Sequence, residues 1–366
     1  SVVVVVYTPR EEKKKMCGPT QGEKQLRTDK LMKSAAEHGS GKTSSEPKAP
    51  IGVVLQPPTL AARYACASVM LAVFGVWGHI CFTPESQHPP VGSNIHSWTI
   101  PTMLTVSYLL VLPLMRAFST TFLSESVDVK LLLKETMVVY NGGQVLLNLW
   151  MVYKIVEGLV SKGHPFIGDV YTMTPGVSHA LWIHYVDKYL EFFDTFFMVL
   201  RGRMDQVSFL HVYHHVSIAW AWWFAMKAWP GGDAYFGALL NSWIHVMMYS
   251  YYTLSLLRVH CPWKRYLTQS QLLQFCTVVV YTIASTFIHY RNGDIEFKHY
   301  ACLGVQSFEM TSLFFLFMHF YSKTYKKKNK DASKKASSTD SQDGSDTVPE
   351  QVSISSETSD DAKKNL

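Results

Sequence analysis

The feature that most constrains this chain is a series of long apolar stretches between two polar, charge-rich tails. Eight stretches, near residues 60–82, 98–116, 136–158, 178–200, 207–227, 234–256, 270–290 and 301–322, reach or approach the roughly 20 residues that a helix needs to cross a bilayer. Inside hydrocarbon the backbone must satisfy its own hydrogen bonds, so each stretch is predicted to be helical. The fold class follows: all-α, a polytopic membrane helix bundle. Almost no amphipathic helices lie between the stretches, which argues against a soluble fold built on one buried core.

Charge then orients the bundle. The chain of 366 residues carries a net charge of +6, and Lys and Arg collect on the cytoplasmic side of a membrane protein. With the C-terminus in the cytoplasm, the cytoplasmic segments hold Arg116, Lys130 and Lys134, then Arg201 and Arg203, then Arg258, Lys264 and Arg265, then Lys326–Lys328. The opposite loop 83–97 has neither Lys nor Arg, and the loop 291–299, with Arg291 and Lys298, runs against the pattern. Basic character here reports topology and a phosphate-bearing ligand, and it gives no sign of a nucleic-acid partner. Six cysteines stand at no metal-binding spacing and form no disulfide framework.

Four regions are expected: a disordered cytoplasmic tail over 1–58, an extra N-terminal hydrophobic segment with its loop over 59–97, a seven-helix core over 98–323, and a second disordered cytoplasmic tail over 324–366. The polar tails lack the apolar periodicity that a packed core requires. The chain ends Lys363-Lys364-Asn365-Leu366, which matches a dilysine retrieval signal for the endoplasmic reticulum.

Ionisable groups inside a membrane span are costly and default to a functional reading. They cluster in three consecutive spans. In the fourth, Lys188, Glu191 and Asp194 recur every third residue and share an arc with His184 and Thr195. In the fifth, His211, His214 and His215 share one helical face. Three imidazoles so placed can be metal ligands, a pair of general bases, or a nucleophile with its base. The sixth carries Asn241, His245, Met248, Tyr249 and Tyr252 on one stripe, and the seventh opens with Thr268, Gln271 and Gln274. Buried charges can also serve only to orient helices, and polar residues spaced by three can be interhelical contacts.

The ordered set Lys188-x-x-Glu191-x-x-Asp194-Thr195, His211-x-x-His214-His215, Asn241-x-x-x-His245-x-x-Met248-Tyr249-x-Tyr251-Tyr252 and Thr268-x-x-Gln271-x-x-Gln274 resembles the four signature motifs of the very-long-chain fatty acid elongase family. The resemblance covers about residues 98–323 and includes the pair Tyr140-Asn141. It implies seven core helices, so the stretch at 60–82 is an addition.

The resemblance also implies a reaction. An acyl-CoA and malonyl-CoA condense with loss of carbon dioxide to a 3-ketoacyl-CoA, the work of a very-long-chain 3-oxoacyl-CoA synthase. No bound cofactor and no metal is expected. An imidazole can itself attack a thioester, which makes His214 the expected nucleophile and His245 its proton-transfer partner. His211 and His215 would orient the site, and Asn241 would donate to the developing oxyanion. Lys188, Glu191, Asp194, Gln271 and Gln274 would support these groups. Arg201, Arg203, Lys264 and Arg265 are expected to meet the phosphates of CoA. Phe192, Phe196, Trp220 and Trp223 are expected along an acyl tunnel. Gln206 and Tyr213 lean toward polyunsaturated chains. The implied partners are acyl-CoA, malonyl-CoA, the bilayer of the endoplasmic reticulum, other enzymes of the elongation cycle and a second copy of the chain. The competing enzyme class is a membrane di-iron desaturase or hydroxylase, which also gathers histidines on helices.

Overall fold

The computed structural model describes residues 57–82, 97–123, 127–168 and 174–340. Most of the expected N-terminal tail and of the loop 83–97, and the Lys363-Lys364 signal, lie outside the described residues. The chain divides into two compact units, Ser1–Tyr321 and Ser322–Leu366.

Short helical turns aside, the helices of the first unit are, in chain order, α1 (Leu60–Cys81), α2 (Thr99–Phe118), α3 (Lys134–Ser161), α4 (Pro175–Leu190), α5 (Phe192–Leu200), α6 (Phe209–Ala228), α7 (Tyr235–Leu256) and α8 (Leu267–Asn292). The last helix, α9 (Phe297–Asp340), begins in this unit, and its residues from Ser322 onward belong to the second. All eight apolar stretches are helical, with α4 and α5 together supplying the fourth. No strand occurs among the described residues. The chain is an all-α polytopic membrane bundle.

Length and composition alone mark Leu60–His79, Thr99–Thr121, Pro262–Asn292 and Phe297–Ser322 as able to cross a membrane. The helices that this test passes over, α3 to α7, are those that carry the polar clusters. Their polar groups face one another inside the bundle, where average apolarity is a poor guide.

Local chemistry sets the helix ends. Thr59 caps α1, its Oγ1 accepting from Ala62 N at 3.2 Å. Ser208 caps α6 in the same way, accepting from His211 N at 3.2 Å, which fixes where the histidine face begins. Gly293 ends α8 in the left-handed region, φ 64°, where a side chain would be strained. Between α4 and α5 the chain tightens at Glu191, where Asp194 N bonds back to Glu191 O at 3.1 Å.

The core is built on α3 and α7, which share the most extensive helix interface. Tyr140, Gln144, Leu147, Asn148, Met151 and Ile155 recur at helical spacing on α3 and are buried. Helix α1 packs along α3, α4 lies against α3 and α6, and α2 covers α5 and α6. Cys66, Cys261, Cys276 and Cys302 are free thiols.

Candidate active site

Helix α4 brings a charged group into the bundle interior, and α7 supplies its partners. Lys188 and Glu191 are 1% and 0% exposed, and Lys188 Nζ donates to Glu191 Oε1 at 2.5 Å. The same ammonium donates to Asn241 Oδ1 on α7 at 3.2 Å. His245 Nδ1, one turn along α7, lies 3.1 Å from Glu191 Oε1. The Lys188–Glu191 pair is thus the hub of the site, joined to Asn241 through Lys188 and to His245 through Glu191.

Helix α3 holds Asp187, the residue before Lys188, through a relay of two amides. Gln144 Nε2 donates to Asp187 Oδ1 at 2.9 Å, and Asn148 Nδ2 donates to Gln144 Oε1 at 3.2 Å. Asp194, on α5, accepts from the Tyr249 hydroxyl at 2.7 Å, and that hydroxyl lies 3.5 Å from the hydroxyl of Tyr140. His184 Nδ1 pairs with Ser242 Oγ at 3.2 Å. Each of these polar side chains is buried, and buried polar groups need such partners.

The histidine face of α6 divides into separate environments. His211 Nε2 and Thr195 Oγ1 lie 2.9 Å apart, and Thr195 Oγ1 is 2.9 Å from the Tyr108 hydroxyl of α2. His215 stacks edge-on against His211 and His214, with centroids 4.6 and 5.3 Å apart. Neither ring nitrogen of His215 has a hydrogen-bond partner among the described residues. His214 instead lines a cavity, together with Asn241 and Gln274.

The remaining wall of that cavity is largely apolar, with Ile218 and Trp222 of α6 and Phe275 of α8. On α6 the wall follows the stripe of His214, Ile218, Ala221, Trp222 and Ala225. Trp220 and Trp223 fall off this stripe, and Trp220 Nε1 donates to Thr105 at 3.2 Å. Phe192 stacks on Tyr108 at 4.2 Å. The four aromatics expected along an acyl tunnel therefore do not line this cavity; helical phase gives the position to Trp222.

The basic residues lie in the α5–α6 and α7–α8 connections or at their edges. Arg201 is packed inward, with Nη1 3.5 Å from Met137 Sδ. Burial lowers its pKa from the ordinary value, with Arg203 adding to the effect. Arg203 makes a two-pronged pair with Asp205, both contacts at 3.0 Å. Lys264 and Arg265 lie over the rings of Tyr251 and Tyr266 at 5.3 and 4.7 Å. Gln271 is buried beside Met248, with Nε2 4.0 Å from its sulfur.

Several members of the network are not among the residues first singled out. Gln144 and Asn148, four apart in an otherwise apolar span, carry the same kind of signal as the other polar repeats. Asp187 is ionisable and sits in a span, but off the three-residue repeat of Lys188. Tyr108 and Ser242 have no comparable signal, since single hydroxyls are ordinary in membrane helices. Among the described residues Asp187, Glu191 and His245 form a group of metal-capable donors with ligand atoms within 4.8 Å of one another. The Lys188 ammonium already lies against Glu191 in that group.

Residues 93–333 match the sequence profile of the ELO family, described as the GNS1/SUR4 family. The chain is 42% identical over 204 residues to very long chain fatty acid elongase 5 of Xenopus tropicalis, covering 52% of this chain and 65% of that protein. It is 38% identical over 203 residues to very long chain fatty acid elongase 4 of Homo sapiens, covering 53% and 63%. To very long chain fatty acid elongase 5 of Homo sapiens it is 42% identical over 202 residues, covering 52% and 64%. The matched stretch thus spans just under two thirds of these relatives.

Proposed function

The chain belongs to the very-long-chain fatty acid elongase (ELO, GNS1/SUR4) family, and from that premise we propose that it condenses an acyl-CoA with malonyl-CoA. The products are a 3-ketoacyl-CoA two carbons longer, free CoA and carbon dioxide. The observation that carries this reading is the position of His214. It stands on the wall of a largely apolar cavity, beside Asn241, with the Lys188–Glu191–His245 group behind.

In this reading a neutral ring nitrogen of His214 attacks the thioester carbon of acyl-CoA. The carbon–sulfur bond breaks, and CoA leaves as the thiol with the proton lost by the imidazole. The acyl-imidazole is reactive because imidazole is a good leaving group. Malonyl-CoA then loses carbon dioxide, and the enolate so formed attacks the acyl carbon; the carbon–nitrogen bond breaks, and His214 leaves with a proton passed from solvent through His245. Asn241 is placed to stabilise the oxyanion, and Glu191 orients His245 for proton transfer. Lys188 balances the charge of Glu191. His211, held by Thr195 and Tyr108, and His215 shape the site, while Asp194, Gln271 and Gln274 support it. The loops with Arg201, Arg203, Lys264 and Arg265 meet the CoA phosphates, so Arg203 must exchange Asp205 for phosphate on binding.

The acyl chain is read as polyunsaturated, from Gln206 and Tyr213. The enzyme is placed in the endoplasmic reticulum with its C-terminus in the cytoplasm, retrieved by Lys363 and Lys364. It works with the other enzymes of the elongation cycle and pairs with a second copy. The metal-capable group Asp187, Glu191 and His245 is the observation that favours a desaturase or hydroxylase instead. Two measurements decide between the classes. Labelled malonyl-CoA must yield a labelled product two carbons longer, and metal analysis of active protein must find less than one iron per chain. Oxygen-dependent desaturation with bound iron and no chain extension would overturn the proposal.

A further inference from the structure

Helix α1 precedes the stretch matched to the family, which begins at residue 93. Yet α1 packs against the helix that braces the site. Near its start Arg63 forms a two-pronged ion pair with Glu135 of α3. Midway, Phe74 sits over Gly143: a Cβ built on that glycine would come 2.6 Å from the phenyl ring. The same ring meets Tyr140, with centroids 6.3 Å apart. Just past the end, Phe82 lies edge-on to Trp150 at 5.1 Å and His179 at 5.7 Å.

Tyr140 reaches the charged group through Tyr249, whose ring lies edge-on to His245 at 5.6 Å. Tyr140 is 0% exposed, and its ring is enclosed by Phe197 at 5.3 Å, Tyr249 at 5.9 Å and Phe74. Its hydroxyl is 3.5 Å from that of Tyr249, which donates to Asp194 at 2.7 Å. A helix that only shields α3 from lipid needs no glycine on its partner. Here a missing side chain on α3 admits an aromatic ring on α1, and that ring leans on the tyrosine that joins the network. The outward residues of α1, such as Leu71 and Val76, are 58% and 63% exposed, whereas Phe74 is turned inward and half-buried.

We propose that Phe74 is a positioning residue for the condensation. Seated over Gly143, it fixes the Tyr140 ring, and through Tyr140 it holds Tyr249, which donates to Asp194 and meets the His245 ring edge-on at 5.6 Å, so that the buried charged group keeps its reactive arrangement. The inference rests on the site proposed above. It makes α1 a working part of the enzyme and not an appendage to the seven-helix core.

The test uses the full-length protein in micelles, with steady-state condensation measured against acyl-CoA and malonyl-CoA. Phe74→Ala should lower kcat about tenfold and leave the KM for acyl-CoA within about twofold, because placement and not binding is disturbed. Phe82→Ala removes an α1 contact that does not involve Tyr140, and its kcat should stay unchanged. Gly143→Ala should also lower kcat, by pushing the ring away. Combining it with Phe74→Ala should recover part of that loss, since the new methyl group enters vacated space. Should Phe74→Ala fail to fold, Phe74→Leu takes its place, with a smaller fall in kcat expected. Tyr249→Phe separates the two levels of the argument. If it is impaired while the Phe74 variant keeps a normal kcat, the coupling is overturned and the site stands. Equal losses in the Phe74 and Phe82 variants would likewise overturn it. A fully active Tyr249→Phe would remove the proposed role of the network, and this inference with it.

Discussion

Replacing Lys188 with Met puts a number on the buried charge at the centre of the bundle. Lys188 Nζ and Glu191 Oε1 are 2.5 Å apart, and neither side chain is more than 1% exposed. No solvent screens the pair, so removing the ammonium strands a carboxylate in the interior. The cost is set by desolvation of the remaining charge and not by the contact alone. Breaking one side of a buried pair typically costs about 3–5 kcal/mol. The Arg203–Asp205 pair provides the contrast: its partners are 44% and 66% exposed, and such a pair is worth about 0–1 kcal/mol. Lys188→Met should therefore destabilise the protein several times more than Arg203→Ala. Adding Glu191→Gln to Lys188→Met removes the stranded charge and should recover more than half of the loss. Equilibrium unfolding in mixed micelles, followed by far-ultraviolet circular dichroism, reads all three variants. A loss below about 1 kcal/mol for Lys188→Met, or a double variant no more stable than the single one, would refute the reasoning.

Three further outcomes follow from the geometry. Thr195→Val keeps the shape of the side chain and removes the hydroxyl between Tyr108 and His211; kcat should fall about tenfold, with the KM for either substrate little changed, as steady-state kinetics will read. Gly232→Ala should destabilise the protein by about 2 kcal/mol or more in the same unfolding assay, since φ there is 64° and a Cβ would meet the Trp229 ring at 2.2 Å. The hydrogen bond from Arg203 holds the Asp205 carboxyl below its ordinary value against a smaller opposing effect of burial. A lowered folded value means that the pair contributes above the usual carboxylate range, about pH 4, and is lost as pH falls through the folded value. Arg203→Ala should move the Asp205 titration upward, read by carboxyl NMR; an unmoved titration would contradict the assignment of cause.

Much of the fold was legible because a membrane span needs length and apolarity, and both can be read from residues in order. The span α4–α5 was harder, since His184, Asp187, Lys188, Glu191 and Asp194 dilute its hydropathy. Its charges turn inward to partners on α3 and α7, a tertiary fact that no window average contains. The repeat of Lys188, Glu191 and Asp194 placed three charges on one arc of the helix. It did not show that they diverge to different partners: Lys188 and Glu191 toward Asn241 and His245, Asp194 toward Tyr249. The histidine face was legible in the same limited way. That His214 lines the cavity while His211 turns to Thr195 depends on which neighbouring helix each ring meets. Which aromatic of α6 meets the cavity could not be read either, since Trp220, Trp222 and Trp223 are near neighbours in sequence and only helical phase puts Trp222 on the wall. The seat of Phe74 over Gly143 could not be read at all, since two residues 69 positions apart become neighbours only through the packing of α1 on α3.

The central claim is that His214 accepts the acyl chain before malonyl-CoA reacts. Its most direct measurement is the release of CoA from acyl-CoA alone, in a single turnover without malonyl-CoA. The native protein should release CoA and retain the acyl group, which mass spectrometry should locate on a peptide containing His214. His214→Ala, with helical content and unfolding midpoint preserved, should release none and should form no 3-ketoacyl product. An alanine variant that released CoA at the native rate, or an acyl group found on a peptide without His214, would contradict the account.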